Sequence, residues 1–318
     1  MLNEKLLVAP SPHLRSGAST QDIMRDVLIA LLPAVAASVV LFGLRALVLE
    51  CICVAACMLA EYITRRILHR DNTVMDLSAA VTGLILALNL PVSINPIFAV
   101  IGCVAAIVIV KQLFGGLGQN FVNPAATARV ILLVSFPAAM SNWVEPFYYK
   151  SSSVVDAVTS ATPLVQLGRG EEVSNLRLFL GIHGGCIGET CVLALLIGFA
   201  YLLMRRVISP VIPLTFIGTV ALMTLLLGGD PLAAVMTGGV MLGAIFMATD
   251  YTTSPVTPAG RWVFGIGCGL ITVIIRQFGA LSEGVSYAIV LMNVLVPHIE
   301  DLTRPKAFGT LKKGGKAA

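Results

Sequence analysis

Long apolar runs alternate along the chain with short polar breaks, and several runs are long enough to cross a lipid bilayer. Residues 28–44 and 211–228 are almost wholly apolar, and a transmembrane helix needs about 17–25 such residues. Divided at its Gly, Pro and charged breaks, the pattern predicts ten spans. They lie near residues 24–44, 46–64, 77–90, 95–111, 123–137, 188–206, 210–228, 231–249, 262–278 and 284–298. The predicted fold is an all-α integral membrane protein of about ten transmembrane helices.

Two of these spans, the third and the fifth, are short for a bilayer. Stretches rich in Gly, Pro and Asn border them, with the sequences LNLPVSINP (88–96) and GGLGQNFVNPAATAR (115–129). Interrupted helices are tolerated in a membrane only where protein covers the freed backbone groups. We therefore expect short or broken helices at these places, and a binding site beside them.

The two halves of the chain are similar to each other. IGCVAAIVIVKQLFG (101–115) matches IGCGLITVIIRQFG (266–279), and DLSAAVTG (76–83) matches DPLAAVMTG (230–238) in the same order. Matches in register indicate a duplication. Because each copy holds an odd number of spans, the copies would be inverted relative to each other across the membrane. The alternative is a coincidence between apolar strings of low complexity.

Composition and charge agree with a membrane protein and set its orientation. The chain is 57% apolar and 12% charged, whereas soluble domains carry about 25% charged residues. With a cytoplasmic N-terminus, most Lys and Arg residues fall on the cytoplasmic side, as the positive-inside rule requires. The outer side then holds Arg45, Lys150, Arg169, Arg177 and Arg276, and Arg129 lies within a span.

This topology divides the chain into segments with both termini in the cytoplasm. The segments are an N-terminal stretch (1–22), a first five-helix repeat (23–137), an extracytoplasmic loop (138–187), a second five-helix repeat (188–299) and a basic tail (300–318). The N-terminus has no apolar run of signal-peptide length, so we expect it to be retained.

Cysteines give no sign of a metal centre. A CxCxxxC set at 51–57 lies in the middle of a span and lacks a second ligand pair. Buried cysteine more often serves as a small apolar side chain, and we predict no metal site there.

The outer loop contains the polar sequence DAVTSATPL (156–164). By itself such a stretch predicts only a solvated turn. Its order, Asp156-x-x-Thr-Ser160-Ala161-Thr162, looks like the acceptor motif of flavin transferases, which join FMN through its phosphate to the last threonine.

Four other stretches strengthen that likeness. They are SPHLRSGAST (11–20), GQNFVNPAATAR (118–129), FLGIHGGCIGET (179–190) and ATDYTTSP (248–255). In this order and spacing the chain resembles the D subunits of Rnf complexes and, more distantly, the B subunits of sodium-translocating NADH:quinone oxidoreductases. The resemblance covers nearly the whole length.

The resemblance implies an electron-carrying subunit with covalent FMN in the bacterial cytoplasmic membrane. Its complex would move electrons between ferredoxin and NAD and translocate Na⁺ or H⁺. The implied partners are an NAD-handling subunit, an iron–sulfur subunit, a second subunit with covalent FMN, small membrane subunits and the flavin transferase, with no nucleic acid. The sequence carries no complete site for NAD or ferredoxin, so we expect it to act only with such partners.

Site residues follow from the matched motifs. Thr162 would carry FMN as a phosphoester, and the transferase would read Asp156, Ser160 and Ala161. We expect Gly184 and Gly185 to support the phosphodiester at a helix N-terminus; the alternative is that they only allow close helix packing.

Further candidates lie in or beside the spans. Arg129 would face the flavin or a buried carboxylate, and Asn123 is assigned to the same flavin site. Thr249, Asp250 and Thr252 would hold a second, non-covalent flavin such as riboflavin on the inner side. Ionisable groups at membrane depth are functional candidates, although Asp76 and Asp230 at span starts suit the helix dipole better.

Two other functions stay open at this point. Inverted repeats with broken helices are also the architecture of solute channels and transporters. A scaffold subunit whose flavin site has lost its function is the third possibility.

Overall fold

The computed structural model describes residues 19–150, 162–168, 174–279 and 283–305, and these residues fold into helices joined by short turns. The predicted end segments 1–22 and 300–318 lie largely outside them. The helices are α1 (Thr20–Phe42), α2 (Leu44–Ile67), α3 (Ser78–Leu88), α4 (Pro96–Gln112), α5 (Pro124–Ser135), α6 (Pro137–Met140), α7 (Pro163–Gly168), α8 (Asn175–Leu180), α9 (Val192–Met204), α10 (Val211–Leu226), α11 (Pro231–Met236), α12 (Val240–Leu242), α13 (Pro258–Phe278) and α14 (Val285–Thr303).

The all-α prediction is confirmed, and each predicted span contains a helix. Helices α1, α2, α13 and α14 are long and apolar enough to cross a membrane. Five shorter apolar helices, α3, α4, α5, α9 and α10, occupy other predicted spans. The span predicted at 231–249 contains α11 and α12, and α12 continues as a π-helical turn, Gly243–Met247.

Short helices occur in the third and fifth spans, as the sequence predicts, and the span at 231–249 is also interrupted, which the sequence pattern does not predict. Helix α3 has 11 residues and α5 has 12. Between α11 and α12 the chain breaks at Gly238 and Gly239, whose φ angles are +61° and +72°. Side chains disfavour this left-handed backbone region, which glycine enters freely. The two glycines therefore allow the break.

Backbone groups freed by these interruptions find partners inside the protein. At the end of α3, the N–H groups of Ile187 and Gly188 donate to the carbonyls of Leu90 and Leu88 at 3.0 and 2.8 Å. At the end of α11, the Arg276 guanidinium donates to the Ala234 and Thr237 carbonyls at 2.7 and 2.8 Å, and to that of Gly238 at 3.0 Å. Both breaks thus meet the requirement that buried backbone groups be hydrogen-bonded.

Helix packing follows the same pattern in the two halves. In the first half, α2 packs against α3 and α4, and α4 packs against α5; in the second, α10 packs against α11 and α13, and α13 packs against α14. Between the halves, α1 packs on α9 and α5 packs on α14. The first helix of one half therefore packs on the first helix of the other, and the last on the last.

The segment 138–187 carries short helices and covers the end of α1. Part of α6, as well as α7 and α8, lies within it. Its aromatic stretch closes the C-terminal end of α1, because the Phe147 N–H donates to the Leu41 carbonyl at 2.7 Å and the Tyr149 hydroxyl to the Val40 carbonyl at 2.8 Å. These aromatic side chains therefore help to terminate α1.

The contact between α1 and α9 depends on Gly198, because a Cβ added there would overlap the Ala30 carbonyl oxygen. We expect Gly198→Ala to lower the melting temperature in detergent, since overpacking costs about 1–3 kcal/mol. The matched control is Gly218→Ala in α10, where a Cβ meets nothing within 4 Å. Alanine is about 1 kcal/mol better than glycine in a helix, so the control should be neutral or stabilising. If Gly198→Ala melted at the same temperature as the wild-type protein, the close approach of α1 and α9 would be contradicted.

Candidate functional site

Thr162, the predicted flavin acceptor, immediately precedes α7. It is 7% exposed, and its backbone carbonyl accepts from the Gln166 N–H at 3.1 Å. Its Oγ1 is buried and has no hydrogen-bond partner among the described residues, although a buried hydroxyl usually has one. Three other residues of the predicted motif, Asp156, Ser160 and Ala161, lie outside the described residues.

The segment after Thr162 packs on the break between α11 and α12. A Cβ added to Gly238 would overlap both the Leu164 side chain and the Arg276 guanidinium. Leu164 and Arg276 therefore both lie against Gly238. This contact brings the residue two positions after Thr162 next to a cation on α13.

A buried ionic cluster lies next to this break. Arg129 on α5 is 1% exposed, and its guanidinium pairs with Glu283 before α14 and lies 3.7 Å from Glu189 Oε2. It also donates to Asn89 Oδ1 at 2.6 Å and to Cys186 Sγ at 3.3 Å. The expectation that Arg129 faces a buried carboxylate is confirmed.

Glycine at position 239 makes room for this cluster. A Cβ there would lie 2.8 Å from Glu189 Oε2 and 3.4 Å from Arg129 Nη1. The ligand atoms of Cys186, Glu189 and Glu283 lie within 4.8 Å of one another, close enough to hold a metal ion. Arg129 supplies the positive charge there, and two carboxylates around one guanidinium leave the cluster acidic.

The HGGCIGET run at 183–190 does not form the first turn of a helix, which differs from our expectation. Helix α9 begins only at Val192, because Ile187 and Gly188 donate their N–H groups to the end of α3 instead. Gly184 and Gly185 are buried in this loop. A Cβ on Gly185 would lie 3.3 Å from Glu189 Oε1 and from Thr190 Cγ2, so the glycine permits a tight fold.

Burial sets the protonation states in this loop. It lowers the pKa of His183, so the imidazole is neutral at pH 7, and the Gly184 carbonyl opposes the shift only in part. It also raises the pKa of the Cys186 thiol to about 12, and the nearby Glu189 carboxylate acts in the same direction. The loop therefore presents a neutral imidazole and a protonated thiol.

Buried polar atoms without a hydrogen-bond partner are concentrated around this loop and Thr162. Among the described residues they include Thr162 Oγ1, His183 Nε2, Glu189 Oε2, Thr190 Oγ1, and the Nε atoms of Arg129 and Arg276. Unsatisfied buried groups are rare and commonly mark a site where something else binds. The region around Gly238 and Gly239 is therefore one candidate site, and we call it the outer site because the sequence predicts the loop 138–187 to be extracytoplasmic.

The other predicted residues line a separate cleft near the opposite end of α5. Its empty space, including the part open to solvent, is about 790 Å³. Its polar lining comprises Ser78, Thr82, Lys111, Asn120, Asn123, Thr249, Asp250, Tyr251 and Thr252. Asn123 thus lies with the residues assigned to the second flavin, six positions before Arg129 on the chain.

Hydrogen bonds organise the polar end of this cleft. The Thr252 hydroxyl donates to Asn120 Oδ1 at 3.1 Å, or to Asp250 Oδ2 at the same distance. Burial raises the pKa of Asp250, while hydrogen bonds from Thr252 and Thr253 oppose the shift. Asn123 donates to the Met247 carbonyl at 3.0 Å and caps α5 through the Ala126 N–H.

Polar contacts link the cleft to the Arg129 cluster. Asn89, which accepts from Arg129, donates to Met247 Sδ at 3.5 Å. Met247 in turn accepts from Asn123 through its carbonyl. A continuous chain of contacts therefore runs from the outer site to the cleft.

Sequence reasoning missed several residues of the two sites. Glu283 precedes the last span and Asn89 ends the third, and neither belongs to a motif that predicts an ion pair with Arg129. A carboxylate at the start of an apolar span was the available signal for Glu283. Asp230, in contrast, caps α11 through the Leu232 N–H at 2.9 Å, so the structural expectation for it is confirmed.

Removing the Arg129 charge should unfold the outer site. Taking away one partner of a buried ion pair costs about 3–5 kcal/mol, so we expect Arg129→Gln to lower the melting temperature in detergent strongly. The control is Arg25→Gln, because Arg25 and Asp22 form an exposed pair with side chains 59% and 43% exposed. Exposed pairs contribute about 0–1 kcal/mol. If both variants lowered the melting temperature by the same small amount, the cluster would contribute little to the stability of the protein.

Known proteins similar to this chain identify its family. The profile of the NQR2, RnfD, RnfE family matches residues 7–309. The D subunit of the Na⁺-translocating ferredoxin:NAD⁺ oxidoreductase complex of Acetobacterium woodii is 49% identical, over 99% of this chain and 100% of the relative. The D subunit of the proton-translocating complex of Clostridium ljungdahlii is 40% identical, over 95% and 96%. The D subunit of the ion-translocating oxidoreductase complex of Escherichia coli O127:H6 is 35% identical, over 96% and 99%. The chain belongs to the NQR2, RnfD, RnfE family, with relatives that are subunits of an ion-translocating oxidoreductase complex.

Proposed function

We propose that this chain is a membrane electron-carrying subunit with FMN joined covalently to Thr162. It would act in a complex that couples electron transfer between ferredoxin and NAD to translocation of Na⁺ or H⁺, as the names of its relatives state for them. The observation that carries the proposal is the buried Thr162 hydroxyl, which has no hydrogen-bond partner in the described part of the chain and stands at the last position of the acceptor motif.

The residues around Thr162 fit such a group. An esterified Oγ1 no longer has a hydrogen to donate, which removes the cost of an unsatisfied buried hydroxyl. Flavin supplies the capacity to accept and release electrons, and protein contacts tune it. A covalent bond also keeps the cofactor at a high local concentration at a surface that faces the outer compartment.

Arg129 and its carboxylate partners keep the outer site in place. Because Arg129 links α5 to Glu189 in the loop and to Glu283 before α14, it fixes the surface on which α7 packs. Gly184 and Gly185 leave the loop without side chains that would obstruct a ligand. These residues position the site and take no part in electron transfer themselves.

The inner cleft suits a second, non-covalent flavin such as riboflavin. Apolar side chains, including Ile85, Ile245 and Phe246, line one part of the cleft and would accept the face of an aromatic ring. Asn120, Asp250 and Thr252 supply donors and acceptors for the polar edge of the ring. Lys111 adds a cation to the same lining.

An inverted duplication accounts for the arrangement of the helices. Lys111 and Arg276 occupy matching positions in the repeated IGC motif. Lys111 donates to Ser78 at the start of α3, and Arg276 donates to the carbonyls at the end of α11. Both cations thus contact the third helix of their half, at opposite ends. We infer ten transmembrane segments with both termini in the cytoplasm, the loop 138–187 outside, and a location in the bacterial cytoplasmic membrane.

A flavin on the outer side gives a physical reason for coupling electron transfer to cation movement. Moving one elementary charge across a potential of 100 mV is worth about 2.3 kcal/mol. Electron transfer across this subunit could therefore drive cation movement if both depend on one conformational change. The partners are the NAD-handling and iron–sulfur subunits, the second subunit with covalent FMN, small membrane subunits and the flavin transferase.

Covalent attachment can be tested on a denaturing gel. Protein co-expressed with a flavin transferase should give a band that fluoresces under ultraviolet light. Thr162→Ala should remove the fluorescence completely because the acceptor oxygen is gone, whereas Thr159→Ala, three positions earlier in the motif, should keep it. A dark wild-type band would leave a solute channel or a scaffold as the function.

The second flavin can be tested in protein that carries Thr162→Ala. Acid extraction of this purified protein should release free flavin. Thr252→Val should weaken retention about fivefold, the effect of one neutral hydrogen bond of about 1 kcal/mol. The control is Thr253→Val, because Thr253 also donates to Asp250, at 3.2 Å, and is absent from the cleft lining. Absence of free flavin from the parent protein would rule out this assignment.

A further inference from the structure

We propose that Arg276 is an anion-binding residue that holds the phosphate of the flavin nucleotide at the outer site. The inference deepens the proposed function and rests on it for the identity of the ligand. It assigns to Arg276, a residue of the repeated motif, a role distinct from that of its counterpart Lys111.

Arg276 has no carboxylate partner among the described residues. Within the described ranges its hydrogen bonds go only to the carbonyl oxygens of Ala234, Thr237 and Gly238, and its buried Nε has no acceptor there. The two buried cations, Lys111 and Arg129, both pair with carboxylates. Carbonyl dipoles compensate a full charge only in part, so the guanidinium retains the capacity to bind an anion.

Comparison of the two sequence copies indicates why Arg276 has no salt-bridge partner among the described residues. Lys111 on α4 pairs with Glu61 on α2, at 3.0 Å. The second copy keeps the cation as Arg276, but α10, which packs against α13 as α2 packs against α4, contains no Asp or Glu. The second half has therefore kept the charge without a carboxylate on that helix. Glu189 acts on Arg276 electrostatically but forms no salt bridge with it among the described residues, so the guanidinium can still bind an anion.

The position of Arg276 places it within reach of Thr162. Leu164 and the Arg276 guanidinium both lie against Gly238, and two residues of extended chain span at most about 7 Å. Thr162 therefore lies in the same region as Arg276, and the proposal places a phosphate on Thr162 Oγ1 against the guanidinium. The planar fork of arginine matches the geometry of phosphate oxygens and binds them by charge-assisted hydrogen bonds.

A direct test compares two flavins that differ only by the phosphate. Protein made without the flavin transferase is titrated in detergent with FMN and with riboflavin, and the dissociation constants are measured. We expect FMN to bind about tenfold more tightly or better, the effect of one charge-assisted hydrogen bond. Inorganic phosphate should compete with FMN and leave riboflavin binding unchanged.

Substitutions separate charge from structure. Arg276→Gln should abolish the preference for FMN, whereas Arg276→Lys should keep most of it because it keeps the charge. The matched control is Arg177→Gln, which removes an exposed cation from the same predicted outer loop and should change nothing. A role confined to closing α11 would lower the melting temperature in both Arg276 variants and leave the ratio of the two dissociation constants unaltered.

The outcomes distinguish this inference from the proposed function. Equal binding of FMN and riboflavin to the wild-type protein, or a preference that survives Arg276→Gln, would overturn the anion site. A preference for FMN that depends on Arg276, together with a dark band from protein co-expressed with the transferase, would support the anion site and reject covalent attachment.

Discussion

The structure depends on satisfying the backbone groups that its broken helices release. Helix α3 and the α11–α12 pair end within the protein, where an unpaired carbonyl costs several kcal/mol. The chain solves the two cases differently, with backbone N–H groups of the 183–190 loop at α3 and with the Arg276 side chain at α11. Both solutions draw distant segments to the breaks, so the polar residues of the outer site gather there.

Hydrophobic patterning predicts most of the fold, because helices in a membrane must be apolar over a fixed length. The pattern places every helical segment of the two halves, and the Gly and Pro breaks mark the short helices α3 and α5. It also suggests a helix start at 183–190. That expectation is wrong because Ile187 and Gly188 donate to the end of α3, and pairing between segments about 100 residues apart leaves no local signal.

The candidate sites were predictable only in part. The motif at Thr162 and the carboxylate partner expected for Arg129 come from sequence, but the partner Glu283 and the place of Asn123 in the cleft do not. Both depend on how α5 packs against α14 and on the π-helical turn after α12. Asn123 caps the start of α5, and Arg129 lies six residues later in the same helix. A shift of α5 would therefore move residues of the cleft and of the outer site together.

The buried thiol beside Arg129 has a chemical consequence for a protein proposed to handle electrons. Only the thiolate reacts readily with peroxides and alkylating agents, and the pKa of Cys186, raised to about 12, keeps the sulfur protonated. Cys51, in contrast, is exposed. Oxidants would therefore react slowly with the buried Cys186 thiol and first with exposed cysteines such as Cys51.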